Sequence, residues 1–313
     1  MSAAAHPVPS ERARDLVRGA YDVHIHVAPD VVERRISDVA LARRFAELGL
    51  AGFGLKSHYT STAERARVVR EAVPEVDTIG TITLNRAIGG LNPVAVEIAA
   101  REGARIVWFP TVSSENEQRE VLAADPNGKV PVWVRLELEL RAAGVVPAPV
   151  PVVDARGALL PEAREVLAVV ARHDLVLATG HLSRDEIFAV VDGAVQAGVR
   201  RIVVTHPEFP SQRISIEDQC ALAERGALME RVFTTPYTGK CTWQQVFDAT
   251  RAVGPERSVW ATDLGQVLNP PVEDGLALMA DRFLADGFTD EEVRTMAVVN
   301  TRVLAGAPAL ERA

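Results

Sequence analysis

Cysteines, aromatic residues and long apolar runs are scarce in this sequence. Two of its 313 residues are cysteine, Cys220 and Cys241, too few for a disulfide-stabilised secreted scaffold, so we expect a reducing, cytoplasmic location. No stretch approaches the roughly 18 uncharged apolar residues of a membrane-spanning helix. Residues 1–10 lack the charged and apolar regions of a secretory signal. We therefore expect no membrane partner.

An excess of positive charge is also missing. Lysine and arginine number 34 against 42 aspartates and glutamates, which leaves a net charge of −8. Because nucleic-acid-binding proteins carry a basic patch or stripe, we expect no nucleic-acid partner. Apolar residues make up 48% of the chain and charged residues 24%, values typical of a globular protein rather than of a disordered, collagenous or coiled-coil chain.

Short apolar runs alternate with helical patterns along the chain. The eight runs occupy residues 21–27, 51–57, 77–84, 104–109, 175–179, 201–205, 227–233 and 258–262. Each is followed by apolar residues at helical spacing, with Asp38 and Asn92 as candidate N-caps of two of these helices. Eight strand–helix pairs predict a single-domain (β/α)8 TIM barrel over residues 1–313, in the α/β class. The alternative, an open doubly wound sheet, normally has fewer strands and carries a G-x-G-x-x-G fingerprint that does not follow the first run here.

The alternation is interrupted after the fourth run. Residues 113–160 contain the turn signal D-P-N-G at 125–128 and a proline-rich stretch, and residues 150–160 have the pattern of a small hairpin. We therefore predict a loop and hairpin insertion after the fourth strand. Its valines and prolines offer a surface for a homo-oligomer, which the sequence leaves open.

Five of the seven histidines lie at, or just beyond, the carboxyl end of a predicted strand: His24, His26, His58, His181 and His206. Barrel enzymes carry their chemistry on that face. Five imidazoles at one barrel mouth predict a metal or catalytic site.

The first strand carries two of these histidines at alternate positions. Residues i and i+2 of a strand point the same way, so His24 and His26 both face the mouth and form half a site for Zn²⁺, Mn²⁺ or Fe²⁺. Asp263 ends the eighth run, which a closed barrel places beside the first. We expect Asp263 to be a metal ligand, with an N-cap of the next helix as the alternative. His181 and His206 end neighbouring strands and either hold a second ion or orient substrate.

These motifs carry a resemblance to a known superfamily. His24-x-His26, Thr179-Gly180-His181, Thr205-His206-Pro207 and Thr262-Asp263-Leu264-Gly265, in this order, resemble the amidohydrolase superfamily of metal-dependent hydrolases. The stretches DVHIHVAPD, LKSHYT and GGLNP are similar to a little-characterised amidohydrolase-like branch, from which no substrate follows. The resemblance implies one or two divalent ions, Zn²⁺ first and Mn²⁺ or Fe²⁺ as alternatives. The ligands it implies are His24, His26, His181, His206 and Asp263.

The sequence departs from the superfamily at the fourth strand. Many binuclear members place a carboxylated lysine or a glutamate there, whereas residues 108–111 here read W-F-P-T. Lys56 instead ends the second strand, with His58 two residues on. A buried lysine among cations tends to lose its charge, so Lys56 could take CO₂ and bridge two ions as a carbamate. The alternatives are Lys56 as a substrate clamp, His58 as the ligand, or both residues exposed in a loop.

The expected reaction is hydrolysis of a C–N or C–O bond in a small amide, cyclic amide or lactone by metal-activated water. Asp263 is the expected general base, and His206 and His58 are further catalytic candidates. A decarboxylase or a deaminase on the same scaffold is the alternative enzyme. A catalytically silent metal-binding scaffold is the alternative of a different class.

Four residues are candidate substrate contacts. Arg86 lies in the loop after the third strand, and Glu230 ends the seventh, where it binds substrate or pairs with Arg231. Tyr237 and Gln266 lie in long loops over the mouth.

Overall fold

Eight parallel strands form one sheet in the computed structural model of the chain, which describes residues 6–123, 132–145 and 148–308. The strands β1 to β8 are, in chain order, Tyr21–Ile25, Gly52–Leu55, Asp77–Thr83, Ala104–Trp108, Val176–Ala178, Arg201–Val204, Leu228–Val232 and Ser258–Ala261. Each strand pairs with the next. The last strand returns to the first, because the amide of His26 donates to the carbonyl of Leu264 and the amide of Asp263 donates to that of His24, both at 2.8 Å. The predicted (β/α)8 barrel is confirmed.

Helices surround this sheet. The α-helices α1 to α14 are, in chain order, Glu11–Leu16, Asp38–Leu48, Ala63–Ala72, Pro93–Glu102, Glu115–Ala123, Val132–Ala142, Pro161–Arg172, Arg184–Ala197, Ile216–Glu224, Thr234–Tyr237, Trp243–Val253, Gly275–Ala285, Asp290–Arg294 and Asn300–Ala305. Short 3₁₀ turns span Arg86–Ile88, Pro255–Arg257 and Val272–Asp274, and a π-helical segment, Thr295–Val299, joins α13 to α14. None of the helices in the described part of the chain has the length and apolar composition that crossing a bilayer demands.

Side-chain caps set where two of these helices begin. Asn92 accepts a hydrogen bond from the amide of Ala95 and caps α4, as predicted. The prediction of Asp38 as the cap of α2 was wrong by one residue. Ser37 has the extended backbone of an N-cap and accepts from the amide of Ala40. Asp38 is the first helical residue and accepts instead from Nε of Arg65 at 2.7 Å.

The insertion after β4 is more helical than predicted. Helices α5 and α6 lie within residues 113–160, because segments rich in glutamate, leucine and arginine favour helix over loop. The predicted hairpin is present, since Val153 pairs antiparallel with Leu159. The predicted turn at residues 125–128 lies outside the described residues.

A bulge in β1 sets which of its side chains face the barrel interior. Asp22 pairs with Phe53 and Ile25 with Leu55, so β1 has one residue more than β2 over this stretch. Val23 joins the apolar cluster formed by side chains from several strands inside the barrel, whereas Ile25 joins the cluster between sheet and helices. The residues on either side of Ile25 therefore face the interior.

Candidate functional site

His24, His26 and Asp263 form one group at the mouth of the barrel. Nε2 of His24 lies 3.3 Å from Oδ1 of Asp263, and Nε2 of His26 lies 3.2 Å from the same oxygen. One ligand atom from each residue lies within 4.8 Å of the others. Both histidines are buried. The barrel seam thus brings together the three residues that the sequence placed on the first and last strands.

The backbone at the barrel mouth adopts positive φ angles that residues other than glycine rarely take. Asp263 has a φ of +53° and His206 a φ of +24°, and such strain concentrates at functional sites. Gly265 has a φ of +136°, and a Cβ there would lie 1.5 Å from the carbonyl oxygen of His26. Only glycine lets the two strands approach this closely.

The ring of His24 is engaged at both nitrogens. Nδ1 lies 3.0 Å from Oε1 of Glu230, and Nε2 lies 2.8 Å from Nζ of Lys56. If Nδ1 donates to Glu230, the lone pair of Nε2 faces Lys56 and Asp263. A carboxylate behind the ring is the arrangement that orients metal-binding histidines.

The three other candidate histidines surround this group. The ring of His58 stacks on that of His26 with centroids 4.8 Å apart. The ring of His206 lies 4.9 Å from that of His181 and 5.9 Å from that of His24. All five imidazoles predicted at the mouth therefore converge.

Glu117 is a member of the site that the sequence analysis missed. Its Oε2 lies 3.3 Å from Nδ1 of His181, and both side chains are buried. Glu117 lies on α5, inside the segment predicted to be a loop, so no strand-end position marked it. The structure thus supplies a carboxylate after β4, although the fourth strand itself ends without one.

Arg34 is a second residue that the sequence analysis missed. Its side chain is only 8% exposed, and its Nε lies 2.7 Å from Oδ2 of Asp30. Both residues follow β1, Asp30 at the end of the DVHIHVAPD stretch and Arg34 just beyond it. Arg34 adds a buried positive charge close to the histidines.

Burial keeps most of the imidazoles neutral. Burial, followed by the charge of Arg34, lowers the pKa of His26 to about 3. Burial also holds the pKa of His58 and that of His206 well below the ordinary value. These rings present a lone pair at neutral pH, as a metal ligand must.

Neighbouring charges and burial shift the pKa values of His24, Asp263 and Lys56. Burial and Lys56 oppose protonation of His24, but Glu230 and Asp263 outweigh them and raise its pKa. Burial opposes ionisation of Asp263, yet His24 and His26 hold its pKa well below the usual range. Burial lowers the pKa of Lys56 to about 8, against the attraction of Asp263 and Glu230.

The donor set fits a divalent cation. Two imidazole nitrogens and one carboxylate oxygen suit Zn²⁺, Mn²⁺ or Fe²⁺. Among the described residues, the buried Nδ1 atom of His206 has no hydrogen-bond partner. A buried polar atom without a partner is costly and points to a missing ligand.

The structure gives other partners to the residues predicted to bind substrate. Glu230 does not pair with Arg231; its second oxygen accepts from the amide of His206 at 3.1 Å, so it positions two histidines. Arg231 contacts Glu208 instead. Gln266 donates to the carbonyl of Asp263 at 2.9 Å and supports the loop after β8.

Two more predicted substrate contacts lie in different surroundings. Arg86 donates to the carbonyls of Ala148 and Pro149, at 3.1 and 2.7 Å, and so ties the insertion to the loop after β3. The ring of Tyr237 stacks on Phe233 with centroids 4.9 Å apart, against an apolar cluster. Packing is the role that the structure supports for Tyr237.

Comparison with solved structures finds the same fold. An amidohydrolase from Pseudomonas aeruginosa matches with a TM-score of 0.59 and 13% identity, over 95% of this chain and 98% of that chain. A metallo peptidase from Rhodobacter sphaeroides, liganded with a phosphinate mimic of the dipeptide L-Ala-D-Ala, has a TM-score of 0.56 and 14% identity over 92% and 98%. A TatD homologue from Escherichia coli K12 has a TM-score of 0.56 and 14% identity over 93% and 100%. The resemblance drawn from the motifs is confirmed at the level of fold.

Sequence comparison identifies the family. No curated protein matches the chain. The model described as "Family of unknown function (DUF6282)" matches residues 19–230. This match begins just before β1, ends within β7, and covers more than half of the chain. The chain is therefore a member of the family of unknown function DUF6282.

Proposed function

We propose that the chain is a divalent-metal-dependent hydrolase that cleaves a C–N or C–O bond in a small molecule, namely an amide, a cyclic amide or a lactone. The observation that carries this proposal is the convergence of His24, His26 and Asp263, with ligand atoms within 4.8 Å of one another. The fold shared with an amidohydrolase and a metallo peptidase supports the reaction class.

In this proposal Nε2 of His24, Nε2 of His26 and Oδ1 of Asp263 hold the ion. A divalent ion lowers the pKa of water from about 15.7 towards about 7 and polarises a carbonyl. Oδ2 of Asp263 accepts a hydrogen bond from Oγ1 of Thr234 at 3.0 Å, which fixes the carboxylate plane. We assign Asp263 as the general base that takes a proton from the attacking water and returns it to the leaving group.

The neutral histidines around this group have a second role in the proposal. His206 lies beside the ring of His24, and His181 lies beside that of His206. Both are assigned to orient the scissile oxygen by hydrogen bonding. The Nδ1 of His58 lies 2.9 Å from Oγ1 of Thr111, which holds its ring at the mouth. His58 is assigned to contact the substrate beside His26.

Lys56 determines whether the site takes one ion or two. We propose Zn²⁺ as the first ion, with Mn²⁺ and Fe²⁺ as alternatives that suit the same ligands. A second ion would use His181 and His206, with carboxylated Lys56 as the bridge. If Lys56 stays uncarboxylated, its amine at the mouth is free to bind substrate once an ion occupies His24. The test is ¹³C NMR after incubation with ¹³C-bicarbonate. A carbamate signal that is present in wild type and absent from Lys56→Met would support carboxylated Lys56 as the bridge.

The test is metal content per chain, measured by elemental analysis on protein purified without chelator. About one equivalent supports a single-ion site, and about two support the bridged pair. His26→Ala should lose the ion that wild type retains, whereas His173→Ala, at the end of α7, should keep it. Loaded protein should then hydrolyse a member of an amide and lactone panel. Lack of metal after incubation with zinc or manganese would overturn the proposal.

A further inference from the structure

A cavity of about 280 Å³ opens beside the histidine cluster. It lies between the loops that follow β2, β3 and β4 and helix α6 of the insertion. His58 lines it, and the ring of His58 stacks on that of His26. The cavity therefore begins one ring away from the proposed metal ligands. We call it the insertion pocket.

Aliphatic side chains form much of its wall. Leu136 and Leu140 lie one turn apart on α6 and so present the same face of that helix. Ala87, Val112 and Val145 complete the apolar side. A concave, mostly apolar surface beside a few polar groups is typical of a small-molecule site.

The charged side chains in the wall already have partners. Glu137 pairs with Arg141 at 3.0 Å. Arg86 donates to the carbonyls of Ala148 and Pro149. Moving a charged ligand group from water to the aliphatic wall would cost its hydration, so the pocket favours an uncharged group.

Asn85 is committed to the protein in the same way. Its Nδ2 donates to Oγ1 of Thr111 at 2.7 Å and to the carbonyl of His58 at 3.0 Å. Its Oδ1 accepts from the amides of Thr111 and Ser113. The amide thus holds the loops together and leaves the aliphatic wall to meet the ligand.

The volume of the pocket sets the size of that group. An apolar protein cavity of about 150 Å³ is enough to bind benzene, and this pocket is larger. We propose that the insertion pocket binds an uncharged branched aliphatic or aromatic group of the substrate, while the scissile bond lies at His24, His26 and Asp263. This inference rests on the proposed function and adds the substrate class to it. Leu136 and Leu140 then make the insertion a determinant of specificity.

Hydroxamates test the pocket without a known substrate. The hydroxamate group chelates the ion, and the acyl tail then extends into the neighbouring pocket, so the Kd depends on how well the pocket accepts the tail. The experiment measures, by isothermal titration calorimetry on the zinc-loaded full chain, the Kd of three acids. They are acetohydroxamic acid, 4-methylpentanohydroxamic acid and the charged 3-carboxypropanohydroxamic acid. Since each buried methylene strengthens binding about fourfold, the branched acid should bind at least about tenfold more tightly than acetohydroxamic acid. The charged acid should show no such gain.

Two variants on α6 test whether the insertion pocket causes the gain in affinity. Leu140→Gln should abolish most of the gain from the branched tail and leave the Kd of acetohydroxamic acid unchanged. Leu138→Gln is the control, because Leu138 is 56% exposed on the same helix. If wild type binds the branched and the acetyl compound with equal affinity, the proposed role of the pocket is wrong, whereas the proposed hydrolase function is unaffected. Failure of all three acids to bind zinc-loaded protein would overturn the proposed function and, with it, the pocket.

Discussion

The imidazole of His24 and the carboxylate of Glu230 are joined by a 3.0 Å contact between Nδ1 and Oε1, with side-chain exposures of 0% and 2%. The contact fixes the ring and increases the basicity of Nε2, which faces the proposed ion. Glu230→Gln keeps the volume and removes the charge. We expect the variant to bind Zn²⁺ between about 10-fold and 100-fold more weakly. Competition with a chromogenic chelator measures this. Glu165→Gln, exposed on α7, is the control, and equal affinities of Glu230→Gln and wild type would contradict the role.

Asp263→Asn tests the proposed general base. The amide keeps the shape of the side chain and can still bind an ion through its oxygen, but it cannot accept a proton. We expect a native circular dichroism spectrum, most of the metal, and a kcat lower by roughly 10²–10⁴-fold on the best substrate of the panel. Elemental analysis of the same sample separates loss of metal from loss of the base. Activity above about one tenth of wild type is incompatible with the assignment.

Gly265→Ala tests the close approach at the barrel seam. The added Cβ would collide with the carbonyl of His26, so a backbone shift is unavoidable. We expect the free energy of unfolding to fall by more than about 3 kcal/mol in urea titrations. Gly287→Ala is the control, since Gly287 also has a positive φ of +91° but meets no atom within 4 Å. That variant should lose about 1 kcal/mol, and a similar loss in both would show that the seam is not tight.

Cys241 should be a slow nucleophile. Burial, and then the charge of Glu208, raises its pKa from 9.0 to about 12. The thiolate is the form that reacts. The higher pKa lowers the fraction of Cys241 present as thiolate roughly 10³-fold near pH 8. In a Cys220→Ala variant, iodoacetamide should therefore alkylate the native protein more than about 100-fold more slowly than the same protein unfolded in urea. Comparable rates in the two states would contradict the burial of this thiol.

The sequence was sufficient to predict the barrel fold and the candidate site residues at the ends of its strands. Eight runs with helical spacing between them have few alternative folds, and alternation along a strand places His24 and His26 on one face. The contact of His24 with Glu230 could not be predicted. Glu230 lies 206 residues away in the chain, and β7, which carries it, is not a neighbour of β1 in the sheet. Glu117 was missed for a different reason. The prolines and turn signals of the insertion predicted a loop and a hairpin there. The helix that presents Glu117 to His181 depends on tertiary packing, which these signals do not show.

The closure of β8 against β1 has a consequence for synthesis. Asp263 reaches His24 and His26 only when its amide and the carbonyl of His24 form the seam hydrogen bond. A nascent chain on the ribosome holds both histidines early but has no complete ligand set until residue 263 has also emerged. The proposed ion would thus be captured after the barrel has closed, and its presence would report a closed seam.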